Sequence, residues 1–162
     1  MKMVVDTNVA VVANGRNTHA KLDCQINCIE FLEKATSKES RIKLILDVDG
    51  LIIGEYRNHL KFSGQPGVGD AFFKFLHDHM HLRKKVQLVS ITKIDNEQQG
   101  YAELPRNQLD PSDRKFLAVA VKTRARIVNA VDADWHQQIE LTKSLGISVL
   151  QLCPKQGTKL QP

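Results

Sequence analysis

Short apolar runs alternate with longer amphipathic stretches along almost the whole chain, and this alternation restricts the fold more than any other feature. Short apolar runs predict strands, and those of this chain lie at 3–5, 42–46, 86–91, 126–131 and 147–152. The stretches between them repeat apolar residues at helical spacing and predict helices at 20–35, 50–60, 68–80, 110–121 and 135–144. Strands separated by helices of about ten or more residues need crossover connections, which belong to parallel sheets. The sequence therefore predicts an α/β fold, a three-layer α/β/α sandwich around a central, mainly parallel sheet.

The length of the chain is that of one ordinary domain. Its 162 residues argue against two independent cores, so we expect one domain over residues 1–153, followed by a polar tail over 154–162. The 42% hydrophobic and 25% charged content is typical of a globular protein and excludes a disordered chain. No apolar run approaches the ~18 residues that a membrane-spanning helix needs, so no membrane partner is expected.

Charge and cysteine content bear on the partners and surroundings of the protein. Lys and Arg number 23 against 18 Asp and Glu, and the net charge of +5 suits a polyanionic partner such as nucleic acid. The cysteine count is odd, and Cys24 and Cys28 lie four residues apart in a predicted helix, so neither a disulfide framework nor a zinc site is expected from them and Cys153. The first residues lack the apolar core of a secretory signal. We therefore expect a reducing, cytoplasmic setting.

Four carboxylates are predicted to lie at one edge of the sheet, beyond the carboxyl ends of the strands, where ligands bind in open parallel sheets. Asp6 follows the first predicted strand and Asp132 follows the fourth. Asp113 lies in the first turn of a predicted helix, and Glu55 lies at the margin of the apolar face of another. Carboxylates so close together repel one another, and this repulsion raises their pKa values unless a cation binds between them.

A divalent metal ion is the usual cation in such a cluster. Mg²⁺ and Mn²⁺ take oxygen ligands and share their remaining positions with water and phosphate oxygens. The ion can lower the pKa of a bound water and stabilise the transition state of phosphoryl transfer. The pattern therefore predicts a metal-dependent phosphodiesterase whose basic residues contact a nucleic-acid backbone.

Four segments of the chain carry a family resemblance. They read MVVDTNV at 3–9, GEY at 54–56, LDPSDRKFLAVA at 109–120 and VDADW at 131–135. In this order and with these flanks, the segments resemble the PIN domain of ribonucleases, and the resemblance extends from Met3 to Leu152. It implies an Mg²⁺- or Mn²⁺-dependent endoribonuclease acting on RNA. Relatives include RNA-processing enzymes and toxins of toxin–antitoxin pairs, so the resemblance leaves open a small antitoxin partner and a homodimer.

The resemblance also implies roles for individual residues. By matching positions, the catalytic and metal-binding acids are Asp6, Glu55, Asp113 and Asp132. Asp134 matches a further, more variable acid and completes the expected metal-binding set, and Asn8 would orient Asp6. Basic residues that flank the acids are expected to contact the phosphate backbone, so that the expected substrate-binding set is Asn8, Arg57, Arg114 and Lys115. Trp135 is expected to pack under the loop that carries Asp132.

Two alternative functions come from other features of the sequence. Members of the family often have Thr or Ser and Asn before the acid that matches Asp132, whereas Ala130 and Val131 stand there in this chain. The first alternative is therefore a non-catalytic PIN-like module that binds RNA or a protein. The second is a haloacid-dehalogenase-like phosphatase, because Asp47 and Asp49 follow an apolar strand as Asp-Val-Asp-Gly. We favour the interpretation of these two acids as residues that end a strand and cap the next helix.

Separately, Asp110 and Asp113 could together cap a helix that begins with Pro111 at its first position. This capping interpretation needs no metal at Asp113. The two interpretations of Asp113 differ in what its carboxylate should contact.

Overall fold

The computed structural model describes residues 1–16 and 19–154. Its strands form one five-stranded sheet in the order β3-β2-β1-β4-β5, and every pair of neighbours is parallel. The strands are β1 (Lys2–Val5), β2 (Lys43–Asp47), β3 (Val86–Val89), β4 (Arg126–Asn129) and β5 (Val149–Gln151). From β1 the chain adds β2 and β3 on one side of the sheet. It then crosses back and adds β4 and β5 on the other side of β1. The ends of β1 and β4 therefore form the switch point at which ligands bind in such sheets.

Seven helices accompany the sheet in the described residues. They are α1 (Thr7–Ala13), α2 (Leu22–Thr36), α3 (Leu51–His59), α4 (Val68–His79), α5 (Arg114–Thr123), α6 (Asp134–Gln137) and α7 (Ile139–Ser144). Helices α1, α2 and α4 pack against one another, and α5 packs against strands β1 to β4. The predicted α/β/α fold with a parallel sheet is confirmed. None of the described helices has the length and apolar content needed to cross a bilayer.

The core lies between the sheet and the helices. Strand residues such as Val4 and Ile127 are completely buried, as are Phe116 and Leu117 on α5. Gly69 allows a close approach between α4 and α1, because a Cβ atom at this position would lie 1.9 Å from a backbone oxygen of Ala10. This packing holds α1, and hence the end of β1, in a fixed position.

Several element boundaries differ from the prediction. The helix predicted to begin at Asp110 begins at Arg114, because the residues before it form a turn in which Asp110 Oδ1 accepts a hydrogen bond from the Ser112 amide. The predicted helix over 135–144 is two helices, α6 and α7, that meet at Gln138. The short helix α1 was not predicted at all. Strand β4 ends at Asn129, three residues before Asp132, so that a loop carries this acid.

The expectation that the cysteines form no disulfide is wrong. Cys24 on α2 is bonded to Cys153, which follows β5 at a sequence separation of 129 residues, while Cys28 is free and buried. The prediction considered Cys24 and Cys28, which lie four residues apart. The disulfide instead joins Cys24 to Cys153, because the fold brings the residues after β5 to α2. The disulfide also removes the argument from cysteines for a reducing compartment. The predicted polar tail begins at Pro154, and its remainder over 155–162 lies outside the described residues.

Candidate metal centre

Three carboxylates from separate segments of the chain converge at the switch point of the sheet. Asp6 directly follows β1, Asp113 directly precedes α5, and Asp132 lies in the loop after β4. One oxygen of each lies within 4.8 Å of an oxygen of the other two. We call these three residues the converging carboxylates. Hard oxygen donors in this number and spacing match what Mg²⁺ and Mn²⁺ require, so the residues present fit such an ion.

Asp6 is 5% exposed and is held by two donors. Its Oδ1 accepts from the Asn8 amide at 3.0 Å, which also caps α1, and its Oδ2 accepts from Trp135 Nε1 at 2.8 Å. Burial is the largest influence on its pKa and raises it, while the two hydrogen bonds lower it and the charges of Asp132 and Glu55 raise it again. The net result is a pKa of about 6. Asp6 is therefore oriented for a ligand but is costly to ionise without one.

Asp113 is 7% exposed, and within the described residues its side chain accepts no hydrogen bond. Although it lies at the amino end of α5, it does not cap that helix through its side chain. Burial, followed by the negative charges of Asp6, Asp132 and other acids nearby, raises the pKa of Asp113 to about 9. Buried polar groups are normally satisfied by a partner. A buried carboxylate beside other carboxylates is unfavourable in its ionised form, and a proton or a metal ion would relieve this repulsion.

The loop that carries Asp132 obtains its shape from Asn129, the last residue of β4. Asn129 Oδ1 accepts from the Asp132 amide at 3.2 Å, and Asn129 Nδ2 donates to the Asp132 carbonyl at 2.9 Å. Asp132 Oδ1 accepts from the Asp134 amide at 2.9 Å. These contacts fix the carboxylate of Asp132 toward the other two. The role of Asn129 was missed because the sequence placed it inside a strand, although a polar residue in an apolar strand near this edge was an available signal.

The side chain of Asn8 also holds this loop. Asn8 Oδ1 accepts from the amides of Ala130 and Val131 at 2.9 and 3.2 Å, and Asn8 Nδ2 donates to Asn129 Oδ1 at 3.0 Å. Asn8 therefore orients Asp6 through its backbone and the loop of Asp132 through its side chain. Since the loop is held by the backbone of Ala130 and Val131, the absence of hydroxyl side chains there does not remove its support.

Glu55, the fourth predicted acid, lies close to this cluster but is not one of the converging carboxylates. Its Oε1 accepts from Lys115 Nζ at 2.8 Å, and its Oε2 accepts from the Thr7 hydroxyl. Glu55 still contributes to raising the pKa of Asp6. Thr7 was not among the predicted site residues, and Lys115 was expected to contact the substrate and not an acid.

Asp134 and Arg57 are two further predicted site residues that lie outside the group of converging carboxylates. Asp134 Oδ2 accepts from the Asp110 amide at 2.8 Å, so this acid connects two loops beside the cluster and is not one of its converging members. Arg57 is exposed on α3, two residues after Glu55.

Arg114 is 7% exposed, and its guanidinium donates to the carbonyl of Glu97 at 2.7 Å and to Asn107 Oδ1 at 3.0 Å. These bonds anchor the long segment between β3 and α5. We therefore replace the predicted substrate contact of Arg114 with this structural role.

Trp135 is completely buried and packs where the sequence predicted, but its indole N–H also holds Asp6. This hydrogen bond was not predicted, because nothing in the sequence indicated which polar group would face the ring. Complete burial leaves no face of the ring for a nucleic-acid base.

The acids of the phosphatase alternative are placed differently. Asp47 is 1% exposed, and its two oxygens accept from the amides of Leu51 and Ile52, both at 2.8 Å. Asp49 is exposed in the following turn. Asp47 therefore holds the first turn of α3 from the end of β2, and at 1% exposure it is closed to a phosphate substrate. The prediction that Asp47 and Asp49 end β2 and cap its helix holds for Asp47 alone, since Gly50 is the N-cap residue of α3 and no described hydrogen bond joins Asp49 to that helix.

The sequence matches no protein-family model, and no curated protein is similar enough to count as a relative. The geometry and chemistry of the site therefore carry the functional argument, together with the resemblance of the four sequence segments.

Proposed function

We propose that this protein is a PIN-like ribonuclease that hydrolyses RNA phosphodiester bonds with Mg²⁺ or Mn²⁺ as cofactor. The observation that carries the proposal is the convergence of Asp6, Asp113 and Asp132, of which Asp113 is buried without a hydrogen-bond donor. Independent caps or surface acids have no reason to converge in this way, and the cost of burying them is offset when they bind a cation.

The three acids would hold the ion, and the surrounding residues would hold the acids. Trp135 and the Asn8 amide fix Asp6, and Asn129 fixes the loop of Asp132. When bound, Mg²⁺ or Mn²⁺ would lower the pKa of a water and neutralise charge on the phosphate under attack. The exposed Arg57, two residues after Glu55 on α3, would contact the backbone of the substrate where the RNA passes over that helix.

RNA as the substrate follows from the resemblance and from the charge distribution. At least three of the 18 acids belong to the site, so the rest of the surface carries a larger positive excess than the net charge of +5 suggests. The same resemblance includes toxins and RNA-processing enzymes. A small protein encoded in a neighbouring reading frame would favour a toxin–antitoxin pair, and cytoplasmic localisation and a homodimer stay predictions.

The test is cleavage of an end-labelled single-stranded RNA by the purified protein with Mn²⁺ or Mg²⁺, with and without EDTA. We expect cleavage by the wild type and by Asp49→Asn, in which an exposed acid outside the site is changed. We expect its loss in EDTA and in Asp113→Asn. RNA binding is measured in parallel. Binding without metal-dependent cleavage by the wild type would favour the non-catalytic module, and equal cleavage by Asp113→Asn would contradict the proposed site.

A further inference from the structure

We propose that the ammonium group of Lys115 takes the place of a second metal ion, so that this site binds a single divalent cation. The inference rests on the proposed metal site and concerns its stoichiometry and the role of Glu55. It starts from the observation that Glu55 is close enough to the cluster to influence Asp6 but does not converge with it.

Both oxygens of Glu55 already have partners. Lys115 Nζ lies 2.8 Å from Oε1, and the Thr7 hydroxyl donates to Oε2. The two side chains of the ion pair are 12% and 21% exposed, so water screens their attraction less than that of a surface pair. A metal ion that used Glu55 as a ligand would have to displace this ammonium or place two cations beside each other.

Lys115 is also tied to the segment that carries Asp113. Its ammonium donates to the carbonyl of Ser112, the residue directly before Asp113. One cation therefore connects Glu55 on α3 with the turn that presents Asp113 at the start of α5. A second ion that used Glu55 as a ligand would therefore have to compete with a cation that is already held by two oxygen acceptors.

Asp6, Asp113, Asp132 and Glu55 would together carry four negative charges when ionised. The Lys115 ammonium neutralises the charge of Glu55, and one divalent ion held by the other three carboxylates would neutralise two of theirs. A second divalent ion bound to Glu55 would lie beside the ammonium and be repelled by it. Removal of the lysine charge should instead free Glu55 Oε1 for a second ion shared with Asp6.

The experiment titrates the metal-free protein with Mn²⁺ in a calorimeter, and electron paramagnetic resonance reports whether bound ions are spin-coupled neighbours. We expect one uncoupled ion per chain for the wild type and two coupled ions for Lys115→Met, which keeps the length of the side chain without its charge. Lys122→Met is the matched control on the same helix, where the lysine is 46% exposed and lies 3.8 Å from Glu103. It should bind one ion.

Two coupled ions in the wild type would overturn this inference and leave the proposed metal site intact. A single ion in a folded Lys115→Met protein would overturn it as well, since the lysine would then not set the stoichiometry. No Mn²⁺ binding by the wild type would overturn both the inference and the proposed function. If Lys115→Met does not fold, Lys115→Gln replaces it as the test, since the amide also lacks the charge but can still donate to the Ser112 carbonyl. We then expect two coupled ions, and a single uncoupled ion in this folded variant would contradict the proposal.

Discussion

Asp47 and Asp113 are both buried carboxylates close to the start of a helix, yet their surroundings are opposite. Asp47 accepts one backbone N–H on each oxygen at the start of α3, and both contacts measure 2.8 Å. Asp113 accepts no hydrogen bond within the described residues and faces Asp6 and Asp132 instead. A buried acid that is fully satisfied by its own helix stabilises the fold, whereas one that faces only other acids is satisfied by an ion or a proton from outside.

Asp70 and Asp6 extend this comparison. Burial alone would raise the pKa of Asp70, but the amides of Lys61 and Gly67, with Asn14 and Arg16, outweigh it and bring the pKa below its ordinary value. Asp6 is both a capping acid and one of the converging carboxylates, because it caps α1 and lies beside Asp113 and Asp132. Its pKa of about 6 is accordingly higher than that of Asp70 and lower than that of Asp113. The distribution of donors, and not burial, separates capping acids from ligands.

The largest effect is expected for metal binding by Asp113→Asn. An amide cannot supply the anionic oxygen that the ion needs, and even residues that only support metal ligands typically account for 10- to 100-fold in affinity. We therefore expect Mn²⁺ affinity to fall by at least about 100-fold, as measured by calorimetry at pH 7.5. The variant should also lose the rise in melting temperature that Mn²⁺ gives the wild type. Asp47→Asn, which changes a capping acid, should keep Mn²⁺ binding wherever the protein is folded.

For Asp47→Ala we expect a loss of folding stability while Mn²⁺ binding is retained. This substitution leaves the amides of Leu51 and Ile52 without their acceptor in a buried position, at a cost of about 2–3 kcal/mol. Urea unfolding in EDTA should show the loss, and Mn²⁺ should still stabilise the folded fraction.

The control for Asp47→Ala is Asp49→Ala, two residues away and exposed, for which we expect a change within about 0.5 kcal/mol. If Asp47→Ala were as stable as this control, the capping role of Asp47 would be wrong.

The sequence predicted the strands and the convergence of Asp6, Asp113 and Asp132, because both depend on local pattern and on the order of elements, but it did not predict that Glu55 and Asp134 have other partners. It placed Asp6 and Asp132 at neighbouring strand ends without any knowledge of side-chain contacts. It could not separate Asp113 from a helix cap, since Asp-Pro-Ser-Asp suits a helix start, and only the turn at Asp110 shows that the helix begins later. Two further contacts could not be predicted from local sequence. The Lys115–Glu55 pair joins residues 60 positions apart, and the Cys24–Cys153 disulfide joins residues 129 positions apart.

The pH dependence of stability provides a third way to distinguish capping acids from the converging carboxylates. In the metal-free protein Asp113 keeps its proton up to about pH 9, whereas in the unfolded chain it loses the proton near 3.8. Between these values the unfolded chain binds fewer protons, so the free energy of unfolding falls as the pH rises. The contribution is complete below about pH 4 and is lost progressively toward pH 9.

Asp113→Asn should remove most of this slope, because the amide stays neutral throughout. At pH 8 in EDTA we expect the variant to be more stable than the wild type, because folding of the wild type then requires a proton that its unfolded chain has lost. Thermal unfolding between pH 5 and pH 9 measures the effect. Asp70→Asn should act with the opposite sign, because the lowered pKa of Asp70 stabilises the fold above about pH 4 and this contribution is lost as the pH falls. Parallel slopes for the wild type and Asp113→Asn would contradict the raised pKa.

The smallest effect is expected for Trp135→Phe, which keeps an aromatic ring in the core but removes the N–H that donates to Asp6 Oδ2. Asp6 would then keep only the Asn8 amide as a donor, so its pKa should rise above about 6 and less of it should be ionised at pH 6.5. We expect Mn²⁺ affinity to fall by about 10-fold at pH 6.5, the lower end of the range for residues that support a metal ligand. At pH 8.5 the deficit should be smaller, because Asp6 is ionised in both proteins and only its orientation differs. A deficit that is the same at both pH values would mean that Trp135 acts on the site through packing alone.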